Sequence, residues 1–265
     1  MLLCDTVVPF TSSGHLDHEA VRAHLLWLAA SGLQGFAPGM SEMFVLDPRE
    51  KEHLLAMARD ALPSAPLLAP VWDPAPKPLF RLAAVARDVG AYAAVVPPPL
   101  LTRVPDSAIV EWYRMLAKRL PLPVLAWHDP RFGNTCSPTL CQTLLDEAGV
   151  AGILDVSADP YRVGRLAELW PARVTAGGDG VARLWATPNL GAFVSRVANV
   201  YPQLAVRLYV DRDPEVLDAV QERARQLGRA GGIAATKRLL GMGARLPLVG
   251  VDEAELQRMV PPGFA

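Results

Sequence analysis

The chain is short of cysteine, short of lysine and free of any long apolar run, and each shortage closes off a class of protein. Three cysteines, Cys4, Cys136 and Cys141, are an odd number without metal-ligand spacing. They suit neither a disulfide framework nor a structural zinc site, and read as reduced thiols of a cytoplasmic protein. No segment approaches the roughly 20 apolar residues that a membrane span needs. The opening MLLCDTVVPF turns acidic too early for a signal peptide. Charge of either sign is not in excess: 26 basic residues face 27 acidic ones, a net charge of −1. Neither nucleic acid nor an anionic membrane is expected as a partner. No repeat or low-complexity linker marks a domain boundary. The lysine shortage matters most. Only Lys51, Lys77, Lys118 and Lys237 occur, against 22 arginines, so few side chains can offer an amine for covalent chemistry.

What is present is an alternating α/β pattern. With 265 residues, 51% of them hydrophobic, the chain can bury one large core. Short apolar runs at 4–10, 33–37, 67–72, 91–96, 124–127, 151–154, 174–175 and 191–195 read as strands. Helical patterns separate them, for example Val21, Leu25, Leu26 and Leu28 behind an N-cap at Asp17. A strand about every 30 residues is one βα unit each. Eight such units predict an α/β fold, a (β/α)₈ TIM barrel over 1–212. Helices at 215–227, 233–242 and 252–259 form a C-terminal extension over 213–265, packed on the barrel as one structural unit.

In such a barrel the turns after the strands carry the chemistry. The run I-L-D-V-S-A-D, from Ile153 to Asp159, is the turn after the sixth strand. Around it stand T-V-V-P-F, G-H-L-D, Ser41-Glu42 after the second strand, A-R-D-V-G-A-Y-A-A-V-V-P-P, L-P-L-P-V-L-A-W-H-D-P, G-G-D-G and A-T-K-R-L-L-G-M-G-A-R-L-P-L. In this order the set resembles the dihydrodipicolinate synthase / N-acetylneuraminate lyase family of class I pyruvate-dependent aldolases. The resemblance implies a barrel, a 2-oxo-acid carbon–carbon lyase ancestry, no cofactor, and homo-oligomers, dimers or tetramers.

It also implies a site that this chain does not match. The family's I-K-[DE]-x-[ST]-x-D run holds a lysine that forms a Schiff base with pyruvate; its place is taken by Leu154. The two hydroxyl residues that hold the substrate carboxylate correspond to Gly39 and Met40. The proton-shuttling tyrosine corresponds to Pro99 or Leu100. Leucine forms no imine, and methionine donates no hydrogen bond to a carboxylate. No catalytic residue of the family is intact.

The strand ends offer other candidates: Ser41, Glu42, Trp72, Asp73, Arg103, Trp127, His128, Asp129, Arg131, Asp155, Asp179 and Arg183. With Gly39 and Met40, ten of these positions form the candidate binding set: Gly39, Met40, Ser41, Glu42, Asp73, Arg103, Trp127, His128, Arg131 and Asp179. Each has a plainer role. Glu42 can anchor its loop, Trp127 can fill the barrel mouth, and Arg103 and Arg131 can be solvated. If Leu154 points inward, Asp155 points away from the axis. His128 with Glu42, Asp73 and Asp179 could ligate a cation, though no spacing motif supports a metal. Lys77, after the third strand, is the one lysine expected on the correct face; Lys51, Lys118 and Lys237 fall in helices. The expectation is a repurposed, small-anion-binding family member without imine chemistry. The alternatives are an active lyase using a metal or Lys77, and an oligomeric interaction protein.

Overall fold

Eight short parallel strands wind around one axis: β1 (Leu2–Thr6), β2 (Gly35–Pro38), β3 (Leu68–Pro70), β4 (Ala93–Val96), β5 (Val124–His128), β6 (Gly152–Asp155), β7 (Val174–Gly177) and β8 (Ala192–Ser195). This is seen in a computed structural model that describes residues 1–100 and 102–259, apart from the side chain of Asp179. The sheet runs β2-β1-β8-β7-β6-β5-β4-β3. The remaining gap between β2 and β3 is crossed by a parallel bridge from Phe36 to Leu67 and by the Phe36 N–H donating to the Pro66 carbonyl at 3.0 Å. The barrel predicted from the spacing of the apolar runs is therefore the fold.

Strand alternation divides the core in two. Leu3, Ala37, Leu68, Ala93, Val95, Leu125, Trp127, Leu154, Ala192 and Val194 face the axis. Their neighbours, such as Leu2, Cys4, Phe36, Ala126 and Ile153, face the helices in a much larger outer layer. That layer is covered by α1 (His18–Ala30), α2 (Pro48–Ala61), α3 (Pro76–Asp88), α4 (Asp106–Arg119), α5 (Pro138–Asp146), α6 (Pro160–Leu169) and α7 (Pro202–Tyr209). The helices start where the sequence places caps. Asp17 accepts from the Ala20 N–H, Asp47 forms a reciprocal capping box with Glu50, and Asp159 accepts from the N–H groups of Tyr161 and Arg162.

Three differences from the sequence expectation bear on the site. β1 ends at Thr6 and not at Phe10, because the N–H groups of Val7 and Val8 leave the sheet ladder for Asn199 and Glu42. After β7 a 3-10 stretch (Asp179–Leu184) stands where a helix would. Helix α7 was not foreseen at all. Beyond it, α8 (Leu217–Ala230), α9 (Ile233–Leu239) and α10 (Glu253–Gln257) follow. The chain between α9 and α10 returns to β1's exit: Gly243 bridges to Phe10, where a Cβ would lie 1.9 Å from the Phe10 carbonyl oxygen. Only glycine permits that approach. Among the described residues, no helix is long and apolar enough to cross a membrane.

Candidate functional site

The C-terminal ends of the strands form the mouth of the barrel, and the side chains that meet there are mostly apolar. Leu154 is fully buried, facing the axis with Trp127, Met40, Met43 and Val194. Gly177 on β7 leaves room for it; a Cβ there would be 3.1 Å from Leu154 Cδ1. Above this layer sits an aromatic lid. Phe44 lies 5.0 Å from Trp72, 6.2 Å from Trp127 and 6.0 Å from Phe132, and Trp127 lies 5.1 Å from Phe132, ring centre to ring centre. Offset and edge-on contacts of this kind add to area burial. The indole N–H of Trp127 is buried with no hydrogen-bond acceptor among the described residues.

The loop after β2 is turned by Gly39 in the left-handed region (φ 64°), where a Cβ would meet Leu54 and Val8 at 2.8 Å. Met40 points into the axial core and Glu42 into the barrel wall. The donors of this loop are already engaged. Both the N–H and the hydroxyl of Ser41 donate to Asp5, the N–H at 3.0 Å. Asp5 follows Leu3 by two residues on β1 and so shares its inward face; it is 3% exposed. The protein's own carboxylate thus occupies the donors of the loop on which family members hold a substrate carboxylate. Asp5 carried no sequence signal, since it lies inside a run that reads as strand.

Two lysines reach this face from helices, contrary to the expectation that only Lys77 could. Lys237 of α9 donates to Glu42 Oε1, and Glu42 Oε2 accepts from the Val8 N–H at 2.6 Å. Both side chains are almost completely buried. Burial pushes the Glu42 carboxyl up and the Lys237 amine down, and their mutual attraction offsets part of each shift. Lys51 of α2 donates to the Trp72 carbonyl at 3.0 Å and lies 3.7 Å from Asp73. Burial lowers its pKa, with Asp73 opposing. Lys77 is exposed on an outer groove with Arg49 and Arg81.

The remaining candidates separate. Trp127 faces the axis, so His128 faces outward. Its ring Nδ1 accepts from the Cys136 N–H at 3.1 Å, and burial holds it below the ordinary histidine range while Asp155 opposes. Asp155 likewise faces outward and accepts from Arg162 Nε at 2.6 Å. Asp129 is buried and bound by the exposed Arg131; Arg103 and Arg183 are exposed. Leu100 and Pro99 are half-buried. The side chain of Asp179 lies outside the described residues. Among the described residues, no group of three or more His, Cys, Asp or Glu could hold a metal ion. A small cleft of about 20 Å³, little more than room for a water molecule, opens beside the axis, between the ends of β1 and β8 and the turn from α8 to α9. Asp5, Ser41, Glu42, Arg196 and Thr236 line it.

Fold and site together define a (β/α)₈ barrel of the aldolase superfamily whose axial position is apolar. The chain belongs to the dihydrodipicolinate synthetase family, which it matches over residues 2–209. It is 30% identical over 259 residues to an uncharacterized DapA-like lyase of Halobacterium salinarum, covering 95% of this chain and 84% of that one. It is 24% identical to a 4-hydroxy-tetrahydrodipicolinate synthase of Methanothrix thermoacetophila, covering 93% and 90%. In fold it is similar to the dihydrodipicolinate synthase DapA-2 of Bacillus anthracis, with a TM-score of 0.85 at 18% identity and coverage of 99% and 98%. It is similar also to the N-acetylneuraminate lyase of Mycoplasma synoviae, with a TM-score of 0.82 at 18% identity and coverage of 97% and 94%.

Proposed function

We propose that this protein keeps the lyase-family barrel but not its imine chemistry, and serves as a repurposed member that binds a small anion non-covalently. The observation that carries this is Leu154, a fully buried aliphatic side chain at the family's lysine position. An imine needs an amine at the carbonyl carbon, and nothing at this position supplies one. Two further features support the reading. Asp5 takes the Ser41 donors, and the aromatic lid fills the mouth above Leu154. The small cleft beside the axis carries Arg196, whose positive charge suits an anion, together with the carboxylates Asp5 and Glu42. The active-lyase alternatives find less support. Lys77 is exposed on the outer groove, and Glu42 and Asp73 are committed to lysines.

The test is intact mass after incubation with pyruvate and borohydride, beside metal-loaded and chelator-treated samples assayed for lyase activity. No mass gain and no metal-dependent activity is the expected result. A stable adduct would overturn the proposal, and peptide mapping would then show whether Lys51 or another amine carries it.

A further inference from the structure

Away from the axis, the start of α5 brings two thiols together. Ser137 is the N-cap of this helix, its hydroxyl accepting from the Leu140 N–H at 3.1 Å, and Pro138 is the first helical residue. Cys136 is therefore the residue before the cap and Cys141 the fourth residue of the helix. Those two positions face each other across a helix start, where an apolar pair commonly staples the incoming chain to the first turn. Here the staple is a pair of cysteines, 1% and 0% exposed. The two side chains meet at this helix start, and Cys141 Sγ lies 3.8 Å from the Cys136 carbonyl oxygen.

One cation holds the pair. Nη2 of Arg162, on α6, donates to the Cys136 carbonyl at 2.7 Å and to Cys141 Sγ at 3.2 Å, while its Nε is fixed on Asp155. The two sulfurs are consequently unlike. Neighbouring Cys136 and the Arg162 cation draw the Cys141 thiol below its ordinary range against the effect of burial. Neighbouring Cys141 and burial push Cys136 well above. A sulfur held by a cation at 3.2 Å, facing a second thiol across a helix start, is the arrangement of an attacking and a resolving thiol. Cys4, on β1, is pushed up by burial and by the neighbouring Asp5 charge.

We propose that Cys136 and Cys141 are a redox pair that closes to a disulfide when a hydroperoxide reaches them. The Cys141 thiolate attacks the terminal peroxide oxygen. The O–O bond breaks, and the leaving oxygen takes a proton from solvent and departs as an alcohol or as water. Cys141 is left as a sulfenic acid. The Cys136 sulfur then attacks the Cys141 sulfur and the S–O bond breaks. The departing hydroxide leaves as water with the Cys136 proton. Two thiols lose two electrons, and the peroxide gains them. Thr135 and Ser137, on either side of Cys136, are exposed, so the pair lies just beneath the surface. Oxidation removes a negative sulfur from Arg162, which also fixes Asp155 at the end of β6. The pair thereby connects to the loop after β5, which carries Phe132 of the aromatic lid.

The test titrates the full-length folded protein with hydrogen peroxide or cumene hydroperoxide, followed by alkylation and intact mass. Wild type should lose two hydrogen masses and two of its three alkylatable thiols, reversibly with dithiothreitol. Cys4→Ser should behave the same, and Cys141→Ser should form no bridge. Cys136→Ser should instead accumulate a dimedone-reactive sulfenic acid on Cys141. Arg162→Met, checked for native circular dichroism, should react several-fold more slowly, because the cation that holds the Cys141 sulfur is gone. Three thiols still free after peroxide, or a bridge that forms only in denaturant, would overturn the proposal.

Discussion

Asp5 and Leu154 are the two residues on which the proposed loss of imine chemistry turns. Placing a lysine at 154 would not by itself rebuild the site. The new amine would lie among Trp127, Met40 and Val194, and burial would depress its pKa. A base whose folded pKa is lowered costs stability at all pH values below the folded one. That cost shrinks only as pH rises toward the unfolded value near 10. Leu154→Lys should therefore lose about 3–5 kcal/mol in urea unfolding at pH 7, less at pH 9, and give no pyruvate adduct on borohydride treatment. Asp5→Gly tests the other half. It frees both Ser41 donors, and acetate or pyruvate should bind more tightly than to wild type in NMR titrations. Trp127 offers a third residue-scale test. Its indole N–H is buried with no acceptor among the described residues, and an unmade hydrogen bond costs about 1–3 kcal/mol. Trp127→Phe removes the donor while keeping a ring, so it should destabilise by under about 1.5 kcal/mol, far less than Trp127→Ala at about 3–5 kcal/mol.

Single elements explain what the sequence made legible and what it did not. Strands and helices were readable because burial imposes period 2 on one and 3.6 on the other, and because Asp17 and Asp47 mark helix starts. The orientation of long side chains was not. Lys51 and Lys237 do lie in helices, but each stem is long enough to carry its amine to the strand ends, and no periodicity records that reach. His128, a candidate from its place at a strand end, faces outward because Trp127 faces the axis, and the same alternation turns Asp155 outward beside Leu154. The stapled cysteines looked unrelated because their five-residue spacing has meaning only once Ser137 is known to be a cap. Helix α2 concentrates the element-scale forces. Asp47 caps it, and Arg245 grips Glu50 with two hydrogen bonds of 2.7 Å. Removing the cap in Asp47→Ala should cost about 1 kcal/mol in urea unfolding. The Arg245 hydrogen bond holds Glu50 below the ordinary carboxylate range. Its contribution is thus complete above the unfolded value near pH 4 and is lost as pH falls through the lower folded value. Glu50→Gln should flatten the acid limb of the stability profile below about pH 4, measured as urea midpoints.

At the scale of the whole molecule, the question is whether the helices beyond 212 are an appendage or part of the barrel's core. Lys237 decides the expectation. It comes from α9 and neutralises Glu42, a carboxylate buried beside the β2 loop. Without α9, Glu42 would keep the Val8 N–H as a donor but lose the amine that neutralises it. Uncompensated burial of a charge costs about 3–5 kcal/mol, a large share of a domain's net stability. Chain 1–212 should therefore fail to show a cooperative urea transition. Truncation removes much else, including the packing of Leu227 and Val220, so the charge argument needs its own arm. In the full chain, Glu42→Gln and Lys237→Met should each destabilise strongly, by about 3 kcal/mol or more, because each leaves one buried charge alone. The double variant should cost less than the sum of the two, since no charge is left to desolvate. Strict additivity would mean that the two groups act independently, and the tail would then be held by apolar packing alone.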